Sequence, residues 1–419
     1  MSENSVIKDL MESYKDFESF NNEYNPWFKV VKSEANKEGI YKIKLKDKAE
    51  EATNKFKKLF INESGNYLLD KNVQFSWLEE LLNLEKNKNL DIYKYDVSTH
   101  YGKPSHFFGN IEKATLFLCL INPNIKKVTD FKSEDGKRVI SIEEYTERFC
   151  KIIGEDRDRE IFSLTESVLE KELDSLIEDI QKIGEDKEFT GKELKDIAKG
   201  NCYKNCYKNR YKNCNKNCYR NLYENCCEDR YYINKYFAPL FTDVSEYFFD
   251  SFIKLIRKED KDSKKVKGID IISNIKKEKA RFKDKIVNLE SYPFRSTSPD
   301  NELSNLEDSF STFSAYIILW RIAKFEQSKQ SNGDSEKKPI FVFRGYNNHW
   351  RKKLRFALKD LVSEEKNKAY IESLEKEEFD KIFEEYFYYF SSNQSGFLSN
   401  NNIVNINKDK VRLNLYENL

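Results

Sequence analysis

No stretch of eighteen apolar residues occurs in the 419-residue chain, so no segment is expected to cross a bilayer as a helix. A charged-then-apolar leader is also missing: residues 1–20 are polar, with scattered acidic side chains. A soluble, cytoplasmic protein with no membrane partner is expected. Charge of one sign is absent too. The 73 Lys and Arg balance 72 Asp and Glu, leaving a net charge of +1. Global charge therefore neither favours nor excludes nucleic acid, and any DNA contact must come from a local patch. Cysteine is scarce outside one segment: of eight, only Cys119 and Cys150 lie apart from residues 202–227. That distribution argues against a disulfide framework. The segment itself is a tetrapeptide repeat beginning Asn201-Cys202-Tyr203-Lys204. Its Cys-x3-Cys spacing, with no His nearby, is not that of a zinc ribbon, and it reads as a low-complexity insert without metal.

What the chain does contain is a set of apolar runs that end in polar loops. Residues 115–121 are apolar or β-branched without interruption and stop at Asn122-Pro123-Asn124. Such a run suits a strand buried on both faces. Pro123 has no amide hydrogen to continue a ladder and Asn124 tolerates a left-handed backbone, so the strand turns there. Three further runs share the pattern. Residues 285–291 end at Tyr292-Pro293-Phe294-Arg295, residues 339–344 at Gly345-Tyr346-Asn347-Asn348, and residues 386–390 at Asn393-Gln394-Ser395-Gly396-Phe397-Leu398. Helical periods fill the intervals at 306–325, 349–366 and 369–385. This alternation predicts an α/β three-layer fold around a central, mostly parallel four-stranded sheet. Residues 1–98 read as an N-terminal helical region, 99–140 and 269–419 as the two parts of the sheet domain, and 141–268 as a helical insertion.

In open α/β sheets ligands bind beyond the carboxyl ends of the strands, so all four loops are expected at one edge. His106 and Phe108, in a loop just upstream of the first strand, are candidates to roof a pocket there. The loops carry no P-loop, dinucleotide fingerprint, Ser-His-Asp set or metal-binding carboxylates, and no cofactor or metal is expected. Their amides, hydroxyls, tyrosines and arginine suit a planar hydrogen-bonding ligand, a positioned water and a departing anion. Hydrolysis of a nucleobase N-glycosidic bond fits this kit, which offers no strong base.

Leu120-Ile121-Asn122-Pro123-Asn124 resembles the Gly-Ile-Asn-Pro-Gly motif of the mismatch-specific uracil/thymine DNA glycosylases, in the uracil-DNA glycosylase superfamily. Asn393-Gln394-Ser395-Gly396-Phe397-Leu398 is similar to that group's Asn-Pro-Ser-Gly-Leu loop, in the same order along the chain. Asn124 replaces a Gly, Gln394 replaces Pro, and Phe397 is an insertion. The resemblance implies that Asn122 positions the attacking water, with Asn393 as the second catalytic candidate. It also implies that the Ser395, Gly396, Phe397 and Leu398 loop enters DNA, Phe397 and Leu398 forming the wedge that replaces a flipped base. The expected base pocket comprises Pro123, Asn124, His106, Phe108, Tyr292, Arg344, Tyr346 and Asn347. Phosphate contacts are expected from Lys126, Lys127, Arg295, Arg351, Lys352 and Arg355. The function so implied is a slow DNA glycosylase-like activity on a damaged, mismatched or modified base, in repair or in defence against foreign DNA. Two alternatives stand beside it: an inactive reader of a modified base or nucleotide, and a helical interaction protein on an α/β scaffold. Phe343-Arg344-Gly345 also resembles the signature of FRG domains, which the end of a strand explains equally well.

Overall fold

The uninterrupted apolar run at 115–121 forms the central strand of the molecule, Leu116–Leu120, with all five residues buried. The computed structural model describes residues 3–26, 31–35, 41–45, 97–98, 106–121, 166–190, 193–194, 197, 232–237, 265–293, 295–296, 309–330, 336–390, 398 and 402–406. In chain order, α1 (Glu3–Glu12) and α2 (Phe17–Tyr24) precede β1 (Val31–Ala35), β2 (Tyr41–Leu45), β3 (Val97–Ser98), β4 (Phe107–Phe108) and β5 (Leu116–Leu120). Then come α3 (Val168–Ile183), β6 (Glu188–Phe189), a π-helical turn (Ile233–Phe237), β7 (Val266–Lys267), α4 (Gly268–Phe282), β8 (Ile286–Glu290) and β9 (Arg295–Ser296). The chain continues with α5 (Ser309–Gln330), β10 (Ile340–Phe343), a second π-helical turn (Tyr346–Trp350) and α6 (Arg351–Leu361). The last elements are α7 (Glu365–Ser373), α8 (Lys376–Lys381), β11 (Phe387–Phe390) and β12 (Ile403–Asn405).

The main sheet has six strands in the order β12-β11-β10-β5-β8-β4. The four expected strands lie side by side in its middle, with β11 parallel to β10, β10 to β5 and β5 to β8. The sheet is nevertheless mixed and larger than expected, because β4 joins β8 antiparallel and β12 joins β11 antiparallel. Periodicity could not reveal either edge, since a strand of two or three residues shows no alternation.

Successive strand side chains face opposite ways. Phe117, Cys119, Val287, Leu289, Phe341, Phe343 and Phe387 share one buried cluster with residues of α1, α5 and α6. Leu116, Leu118, Leu120, Ile286, Ile340, Val342 and Tyr388 share the other with α3 and α4. Helices thus cover both faces. α3 starts on a full capping box, Ser167 with Glu170, and buries Leu169, Leu173, Leu176 and Ile180 toward the sheet. α5 is buried over most of its circumference, from Phe313 through Trp320 to Phe325, as befits a helix with protein on both sides. Its outer side is covered by α1 and α2. Phe20 stacks on Trp320 with centroids 5.2 Å apart, and Trp320 Nε1 donates to the Lys15 carbonyl at 2.8 Å.

The N-terminal helices therefore join the sheet domain's own core. Between them and the sheet lies a departure from the helical expectation for residues 1–98: β1 and β2 form an antiparallel hairpin, and β3 pairs with β9. The helix expected at 73–84 and the repeat at 201–227 lie outside the described residues. Among the described residues, no helix is long and apolar enough to cross a membrane.

Candidate functional site

From β5 the chain reaches β8 on one side and then crosses back to β10 on the other, which puts a topological switch point between β5 and β10. Backbone hydrogen bonds knit the carboxyl ends of the three strands together. Ser291 N donates to Leu120 O at 3.0 Å, Tyr292 N to Ile121 O at 2.8 Å, and Arg344 N to Cys119 O at 2.8 Å. Register then aligns one row of side chains. Leu120 pairs with Glu290. The Phe343–Cys119 and Phe343–Tyr389 pairs place Arg344 beside Leu120 and Phe390 beside Arg344. By alternation, Glu290, Leu120, Arg344 and Phe390 all face α3 and α4. Glu290 and Arg344 are two strand spacings apart, about 10 Å between their Cα atoms.

Glu290 is fully buried. Its charge reaches Cys119, whose thiol is pushed well above the usual range by burial first and by the Glu290 carboxylate second. Cys119 is thus a protonated core residue. Sequence reasoning looked for a base in the loops and missed this carboxylate because it sits inside the strand. The signal was there: Asn288 and Glu290 are polar at alternate positions of the strand expected at residues 285–291. Asn288 is also fully buried, and its amide nitrogen and oxygen make no hydrogen bond among the described residues.

Arg344 is held by aromatic faces. Its guanidinium carbon lies 4.9 Å from the Phe390 ring centroid and 5.3 Å from that of Tyr236. Tyr236 belongs to the first π-helical turn, which Glu172 of α3 anchors by accepting from Tyr232 N at 2.9 Å and Ile233 N at 2.6 Å. The second π-helical turn follows Arg344 directly, after Gly345 takes a left-handed backbone at φ 61°. A Cβ on Gly345 would meet His349 Cδ2 at 2.6 Å, so only glycine lets this imidazole lie against the chain.

A second polar group lies at the same strand ends, between the sheet and α5 and α6. Ser314 Oγ donates to the Glu290 carbonyl at 2.6 Å, and His106 Nδ1 lies 3.3 Å from Ser314 Oγ. Buried Lys353 donates from Nζ to Ser291 Oγ at 2.9 Å and to its carbonyl at 3.1 Å, while Ser291 Oγ donates to the His349 carbonyl at 3.1 Å. Burial, then the Lys353 charge, pushes His106 down to about 3. The same two causes in the same order lower His349. Lys353 stands among the cations of residues 351–355, yet it is buried; its place on the apolar side of an amphipathic helix is the signal that would have found it.

The remaining expected residues divide clearly. Tyr292 and Tyr346 are buried and Phe108 half-buried, while Asn347 and Lys352 are exposed. Tyr346 Oη donates to Asp380 Oδ1 at 2.8 Å, and Arg351 grips the same carboxylate from Nε at 2.9 Å and Nη2 at 2.5 Å. Arg355 donates to the carbonyls of Leu374 at 2.8 Å and Glu375 at 3.3 Å. Arg351 and Arg355 are therefore occupied inside the molecule, which corrects the reading of α6 as a phosphate-binding face. Leu398 is fully buried in the cluster with α3 and α4, its amide donating to Tyr236 O at 2.8 Å, so here it is core and does not project as a wedge. Asn122, Pro123, Asn124, Lys126, Lys127, Asn393, Ser395, Gly396 and Phe397 lie outside the described residues, and Arg295 enters only through the backbone of β9.

The edge thus combines a buried carboxylate, a stacked guanidinium and a buried amide on one face, with two neutral histidines and a buried ammonium on the other. No known family, curated protein or solved structure matches the chain.

Proposed function

We propose that the carboxyl edge of the sheet binds a nucleobase-bearing ligand and that the protein is a DNA glycosylase-like hydrolase. The observation that carries this reading is Glu290. It is a buried carboxylate at the carboxyl end of β8, in register with Leu120 and so beside the strand that leads into Asn122. A carboxylate can accept a proton from water and so suits a general base. In the proposed step Glu290 takes a proton from water as the water oxygen bonds to C1′, and the glycosidic electron pair leaves with the base. Asn122 would orient that water, as the resemblance implies. Phe108, which lies against Lys171 of α3, would stand beside the base.

The test is an abasic-site assay. DNA carrying uracil, thymine mismatches or modified pyrimidines is incubated with the protein and then treated with alkali to break baseless positions. Expected are strand breaks that fall by at least about a hundredfold in Glu290→Gln, the scale of a lost general base. Breaks undiminished in Glu290→Gln refute its role as the base.

A second reading is that the site binds a base or nucleotide without cleaving it. It is favoured by Arg351 and Arg355, whose internal partners withdraw them from a DNA backbone. Tight binding of one of these ligands without breaks would establish it.

A further inference from the structure

Arginine grips two-oxygen anions side-on through one edge of its planar head, the edge made by Nε and Nη2. Arg351 shows this use here, with those two atoms on the two carboxylate oxygens of Asp380. Arg344 has the same edge, and among the described residues nothing accepts from it. Its Nε and Nη2 are buried and make no hydrogen bond with any described residue. The guanidinium carbon meanwhile lies 4.9 Å from the Phe390 ring centroid and 5.3 Å from that of Tyr236. An enclosed, oriented donor pair with nothing to donate to is rare in a folded protein and calls for an acceptor.

Its place narrows what that acceptor is. Arg344 follows the last residue of β10, beside the switch point where ligands of open α/β sheets bind. Two π-helical turns flank it, one supplying Tyr236 and the other beginning two residues after it; such turns are uncommon and concentrate at functional sites. Glu290 stands two strands away in the same row, so an anion is repelled from that end and drawn to this one. The two rings stand beside the guanidinium, 6.2 Å from each other, and neither supplies an acceptor to the Nε–Nη2 edge.

We infer that the Nε–Nη2 edge of Arg344 is an oxyanion subsite that holds the phosphate of a nucleotide whose base lies toward Glu290. This rests on the reading of the strand edge as a nucleobase site, but not on bond cleavage. The phosphate has two possible sources, a free mononucleotide or the backbone of a single strand, and both present the same oxygens to the fork.

The experiment is calorimetric titration of the full chain with four probes: a nucleoside, its 5′-monophosphate, inorganic phosphate and a short single-stranded oligonucleotide. Wild type is compared with Arg344→Lys, which keeps the charge and loses the fork, and with Phe390→Leu, which keeps the fork and loses one stacking face. In wild type the monophosphate or the oligonucleotide is expected to bind at least about tenfold more tightly than the nucleoside. That advantage should vanish in Arg344→Lys and shrink in Phe390→Leu, with nucleoside affinity unchanged in both. If the advantage belongs to the monophosphate the source is the free nucleotide; if to the oligonucleotide alone, it is the strand. Equal binding of nucleoside and phosphorylated probes by wild type overturns the inference, as does a phosphate advantage that survives in Arg344→Lys. Should Arg344→Lys fail to fold, by its circular dichroism, Phe390→Leu decides alone. An Arg344-dependent phosphate advantage without strand breaks would leave this subsite standing and remove the hydrolase reading; breaks without that advantage would do the reverse.

Discussion

Replacing Asp9 with alanine removes a carboxylate that ties α1 to the start of α7. Asp9 is buried, and its Oδ1 accepts from Ser363 N at 3.0 Å and Ser363 Oγ at 2.8 Å. Its Oδ2 accepts from Glu364 N at 3.0 Å and Asn367 Nδ2 at 2.8 Å. Glu364, the N-cap of α7, makes no capping bond with its own side chain, so Asp9 caps that helix from across the interface. One hydrogen bond to a charged group contributes about 1.5–3 kcal/mol, and a lost helix cap costs about 1 kcal/mol. Because the four bonds share one carboxylate they do not add, and Asp9→Ala is expected to cost about 3 kcal/mol.

The effect has a pH signature. Burial alone would raise the Asp9 pKa, but the bonds from Asn367, Ser363 and Glu364 together hold it below 3.8. A carboxylate with a depressed folded pKa stabilises the fold above its unfolded pKa and ceases to as pH falls through the folded value. The gap between wild type and Asp9→Ala should therefore stay constant from pH 7 to about 4 and narrow below that. Urea unfolding followed by tryptophan fluorescence reads it, since Trp320 sits under α1 and α2. A loss below about 0.5 kcal/mol, the ordinary range for a surface substitution, would refute the cap.

Other consequences follow from the strand edge. Because His106 stays neutral down to about pH 3 while the unfolded chain protonates it near 6.5, stability should fall as pH drops through this window. Between pH 6.5 and 5 the loss from this residue is about 2 kcal/mol, and a His106→Gln variant should lack it in urea titrations at both pH values. Gly345→Ala should cost about 1–2 kcal/mol for its left-handed backbone alone. Since its Cβ would meet His349 at 2.6 Å, the imidazole must also move; a melting temperature equal to wild type would show that the turn relaxes freely.

How much of this was legible in the sequence depended on the range of the interaction. The four central strands were visible because each is a short segment rich in apolar residues that ends in a polar loop, a purely local pattern. Their order was not, and the site depends on order. Glu290 and Arg344 are 54 positions apart in the sequence and come into one row only because β5 lies between β8 and β10. The basic run of α6 was equally visible, but its meaning was set by partners elsewhere. Arg351 is consumed by Asp380, 29 residues on, and Lys353 by Ser291, 62 residues back. Composition shows that cations are present, while only packing shows which are spent. The hairpin of β1 and β2 did leave a signal, the strand-like alternation of Tyr41-Lys42-Ile43-Lys44-Leu45, which the helical reading of residues 1–98 passed over.

The embrace of α5 by α1 and α2 also sets a schedule for biosynthesis. Asp9 binds Ser363 and Glu364, more than 350 residues downstream. At translation speeds of 5–20 residues per second, α1 waits roughly 20–70 s for those partners to leave the ribosome. During that interval Val6, Leu10 and Phe20 have no α5 to cover. α1 and α2 are therefore made well before the helix they cover, and their apolar faces wait for it.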